Sequence, residues 1–532
     1  MVCNVLEYLE RAEKHYPDKP AFLDEREQFT YRQLAERARW AGNRLAEQGA
    51  YREPVVVLID KDVKTIAAFM GIVYSGCFYV PVDKSLPMER IRTILSVVSP
   101  RYLILKKEDE GIGREFAKEI KLLWLEEILQ EPVCRTDCPE SEAKELEKKN
   151  LKEAGRREEN LPQLSRIREK HLDTDPLYMI FTSGSTGVPK GVLISHRSVI
   201  DMAEQFTGIF QFSPEEVFAN QAPFDFDVSV KDIYLTLKNA ASMHIVPKSL
   251  FVMPKKLAGF FNEKKITTII WAASALGIAA SFRIFEKEAP RYLKKIMFSG
   301  EVLPMKVLHY WQSHKGDALY VNLYGPTEIT CNCTYYIVDR EFLPDQVLPI
   351  GKAFPNTEIL LLDGENKLPK QGSPGEICVK GSCLALGYYK DKEETKKAFC
   401  QNPLHEDYRD MIYRTGDMGY INDRGELVFA ARKDHQIKHM GHRIELLEVE
   451  AFVNAVEEVE KCCCIYDDVQ GKIVLFYQAE KEIEKEIISL LHSKLPKYMC
   501  PNVFCRMDKI PENNHGKIDR YRLKQEYMEK KK

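Results

Sequence analysis

The chain has 532 residues, a length that predicts roughly two to four domains rather than a single hydrophobic core. Its 44% hydrophobic and 30% charged residues are typical of a soluble globular protein, and a net charge of −3 gives no support for nucleic-acid or membrane binding. The N-terminus lacks a signal-peptide pattern, and no apolar run approaches the roughly 20 residues of a transmembrane helix. We therefore expect a cytoplasmic protein whose 14 cysteines are free thiols in apolar surroundings rather than metal ligands.

The N-terminal part of the chain alternates between helical and strand patterns. An amphipathic helix opens it, and apolar runs at 54–59, 78–83 and 102–105 predict buried strands, the first two separated by a helix at 63–74. Strands that alternate with helices indicate parallel α/β units.

The composition changes three times further along. Residues 106–172 carry matched charges and predict a solvated helix or a linker, whereas a second α/β pattern runs from 173 to about 340. Short strands and turns from about 345 to 430 indicate a β-rich subdomain. We predict an α/β fold with a large N-terminal domain at 1–432 and a small α+β domain at 433–532.

A glycine- and hydroxyl-rich segment from Thr182 to Gly191 follows an apolar strand pattern at 177–181. Glycines let the backbone approach a ligand, successive backbone N–H groups form a concavity for anions, and Lys190 adds a cation suited to phosphate. The segment is not a Walker A loop, because Pro189 precedes Lys190 and a strand follows where that motif has a helix. The residues leave open a triphosphate cradle and an ordinary hairpin turn.

The complete string from Thr182 to Gly191 resembles the signature loop of the adenylate-forming ligases, a superfamily that activates carboxylates with ATP. Further segments that resemble the superfamily follow in chain order and cover almost the whole chain. The resemblance implies that ATP is bound by Thr182, Ser183, Gly184, Ser185, Thr186, Gly187 and Lys190.

The segment 322–328 places an aromatic ring, a Gly-Pro turn, a hydroxyl and a carboxylate in sequence. A carboxylate beside phosphates can hold Mg²⁺ through its oxygens, and the alternative is an exposed turn with an incidental acid. By resemblance, Tyr324 lines the adenine, Thr327 contacts the α-phosphate as a catalytic residue, and Glu328 binds Mg²⁺ and takes part in catalysis. The resemblance also assigns ATP binding to Gly300, Glu301 and Asn322.

An aspartate after a Thr-Gly turn can accept hydrogen bonds from both ribose hydroxyls, or it can stabilise its own turn. By resemblance, Asp417 is the ribose-binding aspartate. The segment 432–445 resembles the hinge of the family, in which Arg432 contacts ribose and Asp434 is the pivot of a mobile C-terminal domain. The family usually has glycine where this chain has Ala431.

Near the C-terminus, the context Gly-Lys-Ile-Asp around Lys517 resembles the segment that carries the catalytic lysine of the family. Attack of a carboxylate on phosphorus brings two anions together, and a cation that bridges them stabilises the transition state. A lone lysine in such a position is more often a solvated charge, so the assignment of Lys517 depends on the resemblance.

The segment 220–232 resembles the one by which amino-acid-adenylating domains hold their substrate. In those domains an aspartate pairs with the α-ammonium group, and Asp227 takes its position. A helix N-cap is the alternative reading of Asp227. The other substrate residues that the resemblance implies are Val228, Lys231, Ile270, Met297, Ser299, Leu323, Cys331 and Asn332.

Among the members of the superfamily, the chain most resembles the D-alanine–D-alanyl carrier protein ligases, in segments such as 220–224 and 298–304. Those ligases have an apolar methionine where this chain has Lys231. A lysine in a pocket needs an anion or must lose its charge, so an acidic substrate side chain would satisfy it. The alternative is that Lys231 points outward into solvent.

The resemblance therefore predicts a free-standing enzyme of the nonribosomal peptide synthetase type that uses ATP and Mg²⁺ to activate an amino acid. Only 15 residues follow Lys517, so we expect the acyl group to pass to the phosphopantetheine thiol of a separate carrier protein. One rival is an acyl- or aryl-coenzyme A ligase, against which Asp227 argues because such acids have no ammonium group. Others are a D-alanine–carrier protein ligase proper and a non-catalytic scaffold with a degenerate site.

Overall fold

The computed structural model describes residues 2–131, 162–184, 188–344, 346–433, 436–511 and 518–529. In this part of the chain the strands form two large sheets, one antiparallel sheet, a two-stranded hairpin and a three-stranded sheet. Predicted site residues that lie outside the described residues are Ser185, Thr186, Gly187, Asp434 and Lys517.

The largest sheet runs β15-β14-β13-β12-β11-β9-β10-β1-β2, and the inner strands from β13 to β1 are parallel. Its strands are β1 (Pro20–Leu23), β2 (Gln28–Thr30), β9 (Val217–Asn220), β10 (Ser242–Ile245), β11 (Thr268–Ala272), β12 (Lys295–Ser299), β13 (Leu319–Tyr324), β14 (Thr334–Ile337) and β15 (Lys352–Ala353).

The second sheet runs β18-β8-β7-β4-β3-β5-β6. Its strands are β3 (Pro54–Ile59), β4 (Phe78–Asp83), β5 (Tyr102–Leu105), β6 (Lys121–Trp124), β7 (Pro176–Thr182), β8 (Lys190–Ser195) and β18 (Gly387–Tyr388). The strand β6 lies within 106–172, where we expected only a solvated helix or a linker. That prediction was wrong for β6, because an edge strand tolerates a charged residue, here the exposed Lys121.

Helices cover both sheets and fill the connections between strands. Several begin at side chains that accept a hydrogen bond from the first turn, including Thr30, Asp62 and Ser195. The helices of the N-terminal domain are α1 (Leu6–His15), α2 (Tyr31–Glu47), α3 (Val63–Tyr74), α4 (Met88–Val98), α5 (Glu110–Arg114), α6 (Leu125–Ile128), α7 (Pro162–Glu169), α8 (His196–Phe210), α9 (Val228–Asn239), α10 (Ser249–Val252), α11 (Leu257–Glu263), α12 (Ala273–Ser281), α13 (Met305–His314) and α14 (Lys392–Ala398).

The expected β-rich subdomain is an antiparallel sheet in the order β16-β17-β20-β19, with β21 paired to β20. Its strands are β16 (Thr357–Leu362), β17 (Gly375–Gly381), β19 (Phe399–Gln401), β20 (Met411–Ile421) and β21 (Leu427–Arg432).

The C-terminal part combines a hairpin, a three-stranded sheet and three helices within the described residues. Its elements are β22 (Gln436–His439), β23 (His442–Glu445), α15 (Leu446–Asn454), β24 (Lys461–Asp467), β25 (Lys472–Gln478), α16 (Glu484–Lys494), β26 (Val503–Met507) and α17 (Arg520–Glu529). Its apolar side chains form clusters of their own, separate from those of the two large sheets. This architecture agrees with the predicted α/β class, whereas the boundary at 432/433 stays a prediction.

No helix in the described ranges combines the length and the apolar character that crossing a bilayer would require.

A buried ion pair connects the two parts of the molecule. Arg90 of α4 contacts Glu448 of α15, and the side chains are 9% and 0% exposed. Burial raises the pKa of Glu448, and Arg90 opposes that shift.

We predict that Arg90→Ala loosens the C-terminal part, because removing one partner of a buried pair costs about 3–5 kcal/mol. Hydrogen–deuterium exchange in the peptide 446–454 should become faster. Arg92→Ala is the matched control, since Arg92 lies on the same helix and is 52% exposed. Equal exchange in both variants would contradict the prediction.

Candidate active site

The glycine-rich segment joins β7 to β8, which pair so that Thr182 lies opposite Lys190. Gly184 has no room for a side chain, because a Cβ atom there would lie 2.1 Å from the carbonyl oxygen of Val188. Lys190 Nζ lies 2.6 Å from a carboxylate oxygen of Glu394, so its charge is paired. A phosphate role for Lys190 would therefore require Glu394 to share or release it.

Asp417 contacts the other residues that are predicted to bind adenine and ribose. Its carboxylate is 1% exposed, accepts a hydrogen bond from Tyr324 Oη at 2.6 Å and forms an ion pair with Arg432. Burial and the charge of Asp417 raise the pKa of Tyr324 well above its usual value, so the phenol remains a donor. A ribose at this place would share Asp417 with Tyr324 and Arg432.

Four predicted nucleotide-binding residues line one cavity, namely Gly300, Glu301, Asn322 and Tyr324. Lys438 lines it as well, with Nζ 5.5 Å from the centroid of the Tyr324 ring. Burial lowers the pKa of Lys438, although the charge of Asp417 opposes this. Lys438 was not predicted as a site residue, and the available signal was its position within the hinge-like segment.

Glu328 lies in a short 3₁₀ turn after β13 and is 1% exposed. Arg443 Nη1 lies 2.9 and 2.8 Å from its two carboxylate oxygens, and Tyr388 Oη donates to one of them at 2.7 Å. Burial favours the neutral acid, but Arg443 and Tyr388 outweigh it and lower the pKa of Glu328. An ionised carboxylate offers the oxygen ligands that Mg²⁺ prefers, so the residue type fits the predicted metal.

The C-terminal hairpin β22–β23 closes over these residues. Ser183 Oγ donates to the carbonyl oxygen of Arg443 at 3.0 Å and accepts from the Glu445 N–H at 3.1 Å. The Gly441 N–H donates to Glu301 Oε1 at 2.7 Å. Sequence reasoning missed Arg443, because nothing in the motif shows which acid it would reach.

Asp227 directly precedes α9, but its side chain makes no capping hydrogen bond, so the N-cap alternative is not supported. The side chain is 6% exposed. Burial raises the pKa of Asp227, while Lys231 and a hydrogen bond from Thr327 oppose the shift. A buried carboxylate in this position is stabilised by a cationic partner.

Lys231 points into the molecule, so the outward-facing alternative is wrong: the residue is 0% exposed. Its Nζ donates to Asn332 Oδ1 at 2.7 Å and to Ser299 Oγ at 3.4 Å. In the part of the chain that the structure describes, no carboxylate lies within ion-pair distance of Nζ, and burial lowers the pKa of Lys231. Asn332 Nδ2 is also buried and has no hydrogen-bond partner among the described residues.

The remaining predicted substrate residues lie around this lysine on neighbouring elements. Ile270 of β11 is in register with Met297 of β12, and Ser299 follows two residues later on the same face. Cys331 Sγ donates to the carbonyl oxygen of Asp227 at 3.2 Å. The same apolar cluster contains Ile270, Met297, Leu323 and Cys331, while Val228 is buried at the start of α9.

The family described as AMP-binding enzyme matches residues 9–389, and its C-terminal domain matches residues 448–517. The D-alanine–D-alanyl carrier protein ligase of Bacillus licheniformis is 31% identical over 98% of this chain and 99% of its own length. Bacitracin synthase 1 of the same organism is also 31% identical over 95% of this chain, which spans only 9% of that protein.

Solved structures show the same fold. The Vibrio cholerae adenylation domain AlmE, in complex with glycyl-adenosine-5'-phosphate, matches with a TM-score of 0.81 and 21% identity over 99% of this chain and 98% of that one. Holo-PA1221, which contains adenylation and PCP domains, matches with a TM-score of 0.79 and 21% identity over 98% and 84%. The predicted α/β class, with a large N-terminal and a smaller C-terminal domain, is confirmed.

Because the family match covers most of the chain and the D-alanine ligase matches along nearly its full length, this protein belongs to the AMP-binding enzyme family and is an ATP-dependent, AMP-forming ligase of the type that includes nonribosomal adenylation domains.

Proposed function

We propose that the enzyme activates an amino acid with an acidic side chain to the aminoacyl-AMP and transfers it to the phosphopantetheine thiol of a separate carrier protein. The observation that carries the substrate class is Lys231, which is fully buried with no carboxylate within ion-pair distance among the described residues, although the charges of Asp227 and Asp232 act on it. A substrate carboxylate would supply that partner. The unpartnered Asn332 Nδ2 offers the same carboxylate a second donor.

Asp227 supports an amino-acid substrate, because its buried carboxylate suits the α-ammonium group. It lies four residues before Lys231, about 6 Å along the helix axis. Opposite charges one helical turn apart match a substrate that carries an ammonium group at one end and a carboxylate at the other. An aryl or fatty acid would offer no ammonium group to Asp227 and no second carboxylate to Lys231.

ATP would lie along the groups that meet at the ends of the two sheets. Tyr324 and Asp417 would bind adenine and ribose, Thr327 would contact the α-phosphate, and Ser183 would face the phosphates. Bound Mg²⁺, held by Glu328, would neutralise phosphate charge. Attack of the substrate carboxylate on the α-phosphorus gives aminoacyl-AMP and pyrophosphate.

The transfer step and the domain rotation are carried over from the family. Asp434 is proposed as the pivot and Lys517 as the lysine of the first half-reaction; both lie outside the described residues. A separate carrier is consistent with the name of the Bacillus licheniformis relative and with the PCP domain in holo-PA1221. In support, a cavity runs from Ser183 and Thr327 to Tyr498 of the C-terminal part, which would suit a thiol arm.

The first experiment measures pyrophosphate exchange into ATP across D- and L-amino acids, aryl acids and fatty acids. We expect exchange selective for an acidic amino acid and, for Lys231→Met, a loss of that activity of roughly 30-fold or more, because a desolvated ion pair is lost. Lys238→Met, on the same helix in an ion pair with Glu204 in which the lysine side chain is 19% exposed, is the matched control. Exchange with D-alanine alone would refute the acidic class but not the enzyme class.

Asp227→Asn should lower amino-acid-dependent exchange roughly 30-fold or more, since the ammonium group would lose its buried counter-charge. The measurement is kcat/KM for the best amino acid, with Asp339→Asn at a 65% exposed side chain as control. Undiminished exchange with an aryl or fatty acid in the Asp227→Asn variant would instead favour the coenzyme A ligase class.

An ordinary aspartate has a pKa of about 3.9. As the pH is lowered from neutral, kcat/KM for the amino acid should begin to fall at a higher pH than titration of such an aspartate would cause. Burial raises the pKa of Asp227 in the free enzyme, so protonation removes the anion that binds the ammonium group. A pH profile of kcat/KM tests this, and a profile that stays flat down to pH values near 4 would contradict it.

A further inference from the structure

Asp225 lies in the turn between β9 and α9, two residues before Asp227. It lines the cavity that runs from Ser183 and Thr327 to Tyr498 of the C-terminal part, and it is the only carboxylic acid among the described residues that line this cavity. Its Oδ1 atom is buried and has no hydrogen-bond partner in the described part of the chain. Because buried polar atoms are ordinarily hydrogen-bonded, this oxygen is suited to accept a hydrogen from a bound molecule.

The cavity reaches the place where the acyl–phosphate bond of an aminoacyl-AMP would lie. Thr327, the proposed α-phosphate contact, lines the cavity and donates to Asp227, the proposed partner of the α-ammonium group. The acyl carbon of the mixed anhydride joins these two parts of the ligand, so it would lie between the two residues. Asp225 therefore lines the approach by which a thiol that enters beside Tyr498 would reach the acyl carbon.

The surroundings of Asp225 favour the uptake of a proton near neutral pH. Burial and the negative charge of Asp83, at the end of β4, raise the pKa of Asp225 to about 7, although its own backbone N–H and Lys248 oppose the shift. Tyr498 lies near the carboxylate on the C-terminal side, and burial and the charge of Asp225 raise the pKa of this phenol above its usual value. The phenol therefore stays neutral and cannot take the proton instead.

The other titratable groups of the cavity are poorer proton acceptors. His442 is stacked on Tyr498 with ring centroids 3.7 Å apart, and burial lowers the pKa of His442 to about 4. The two arginines that line the cavity, Arg90 and Arg443, are cations that already have carboxylate partners. A general base is most effective when its pKa lies near the working pH, which favours Asp225.

We propose that Asp225 is the proton acceptor for the attacking thiol in the transfer half-reaction. The S–H bond breaks and its proton passes to the Asp225 carboxylate, while the sulfur bonds to the acyl carbon and the bond from that carbon to the phosphate oxygen breaks. The products are the thioester and AMP, and Asp225 then returns the proton to solvent. The inference rests on the proposed transfer to a phosphopantetheine thiol and assigns a residue to its chemical step.

The test measures the two half-reactions separately. Pantetheine is the probe thiol, and the amino acid is the one that supports the fastest pyrophosphate exchange. At pH 7 we expect Asp225→Asn to retain this exchange but to form the pantetheine thioester about 30-fold more slowly, because only a few per cent of a free thiol is ionised at that pH. Asp339→Asn, at a 65% exposed side chain, is the matched control and should leave both rates unchanged.

A pH profile distinguishes a proton acceptor from a structural role. In the native enzyme, kcat/KM for pantetheine should rise as the pH passes through about 7, because only the ionised form of Asp225 accepts a proton. In Asp225→Asn the rise should move to about pH 8.5, where a simple thiol ionises by itself, and the two enzymes should then have similar rates. Asp83→Asn removes the repulsion that raises the pKa of Asp225, so its profile should shift to lower pH.

Equal thioester rates in the native enzyme and Asp225→Asn, or a ratio of the two rates that is constant at every pH, would overturn the role of Asp225 and leave the proposed function intact. Pyrophosphate exchange by the native enzyme without any thioester would overturn the proposed transfer step and this inference with it. Absence of exchange with every amino acid would overturn the proposed activation of an amino acid itself.

Discussion

The candidate site depends on the burial of charged side chains. Asp417 and Glu328 are each 1% exposed and each has an arginine partner. Lys231 is equally buried but is held by the neutral oxygens of Asn332 and Ser299. Because an isolated charge in such surroundings is costly, the first two carboxylates are stable without a ligand, whereas the lysine gains most from one.

The partners of the two carboxylates come from the segment that leads into the C-terminal part. Arg432 ends β21, and Arg443 lies in β23 of the following hairpin. The two carboxylates predicted to bind ribose and Mg²⁺ are therefore paired with this segment of the chain.

The sequence predicted site residues that belong to short motifs. It did not predict contacts between residues that are far apart in the chain. Motif order predicted that Tyr324, Asp417 and Arg432 serve one ligand, and the structure brings them together. Apolar runs predicted the buried strands, but the edge strand β6 was hidden by the charged residues of the segment around it. The pairing of Arg443 with Glu328 spans 115 positions, and no local pattern encodes it. The sequence also could not predict whether the Lys231 side chain faces the core or the solvent, because a position on a helix can face either.

For the proposed amino-acid substrate, charge balance favours an acidic side chain over a neutral one. Asp227 and Lys231 together are neutral when both are ionised. An acidic amino acid loses the charge of its α-carboxylate when the mixed anhydride forms, and what remains is one ammonium and one carboxylate group. Each then meets its opposite, so the buried pocket stays neutral. A substrate with a neutral side chain would offset Asp227 and leave Lys231 with Asp232 as its nearby acid. Burial raises the pKa of Asp232 to about 7 and also favours the uncharged amine of Lys231.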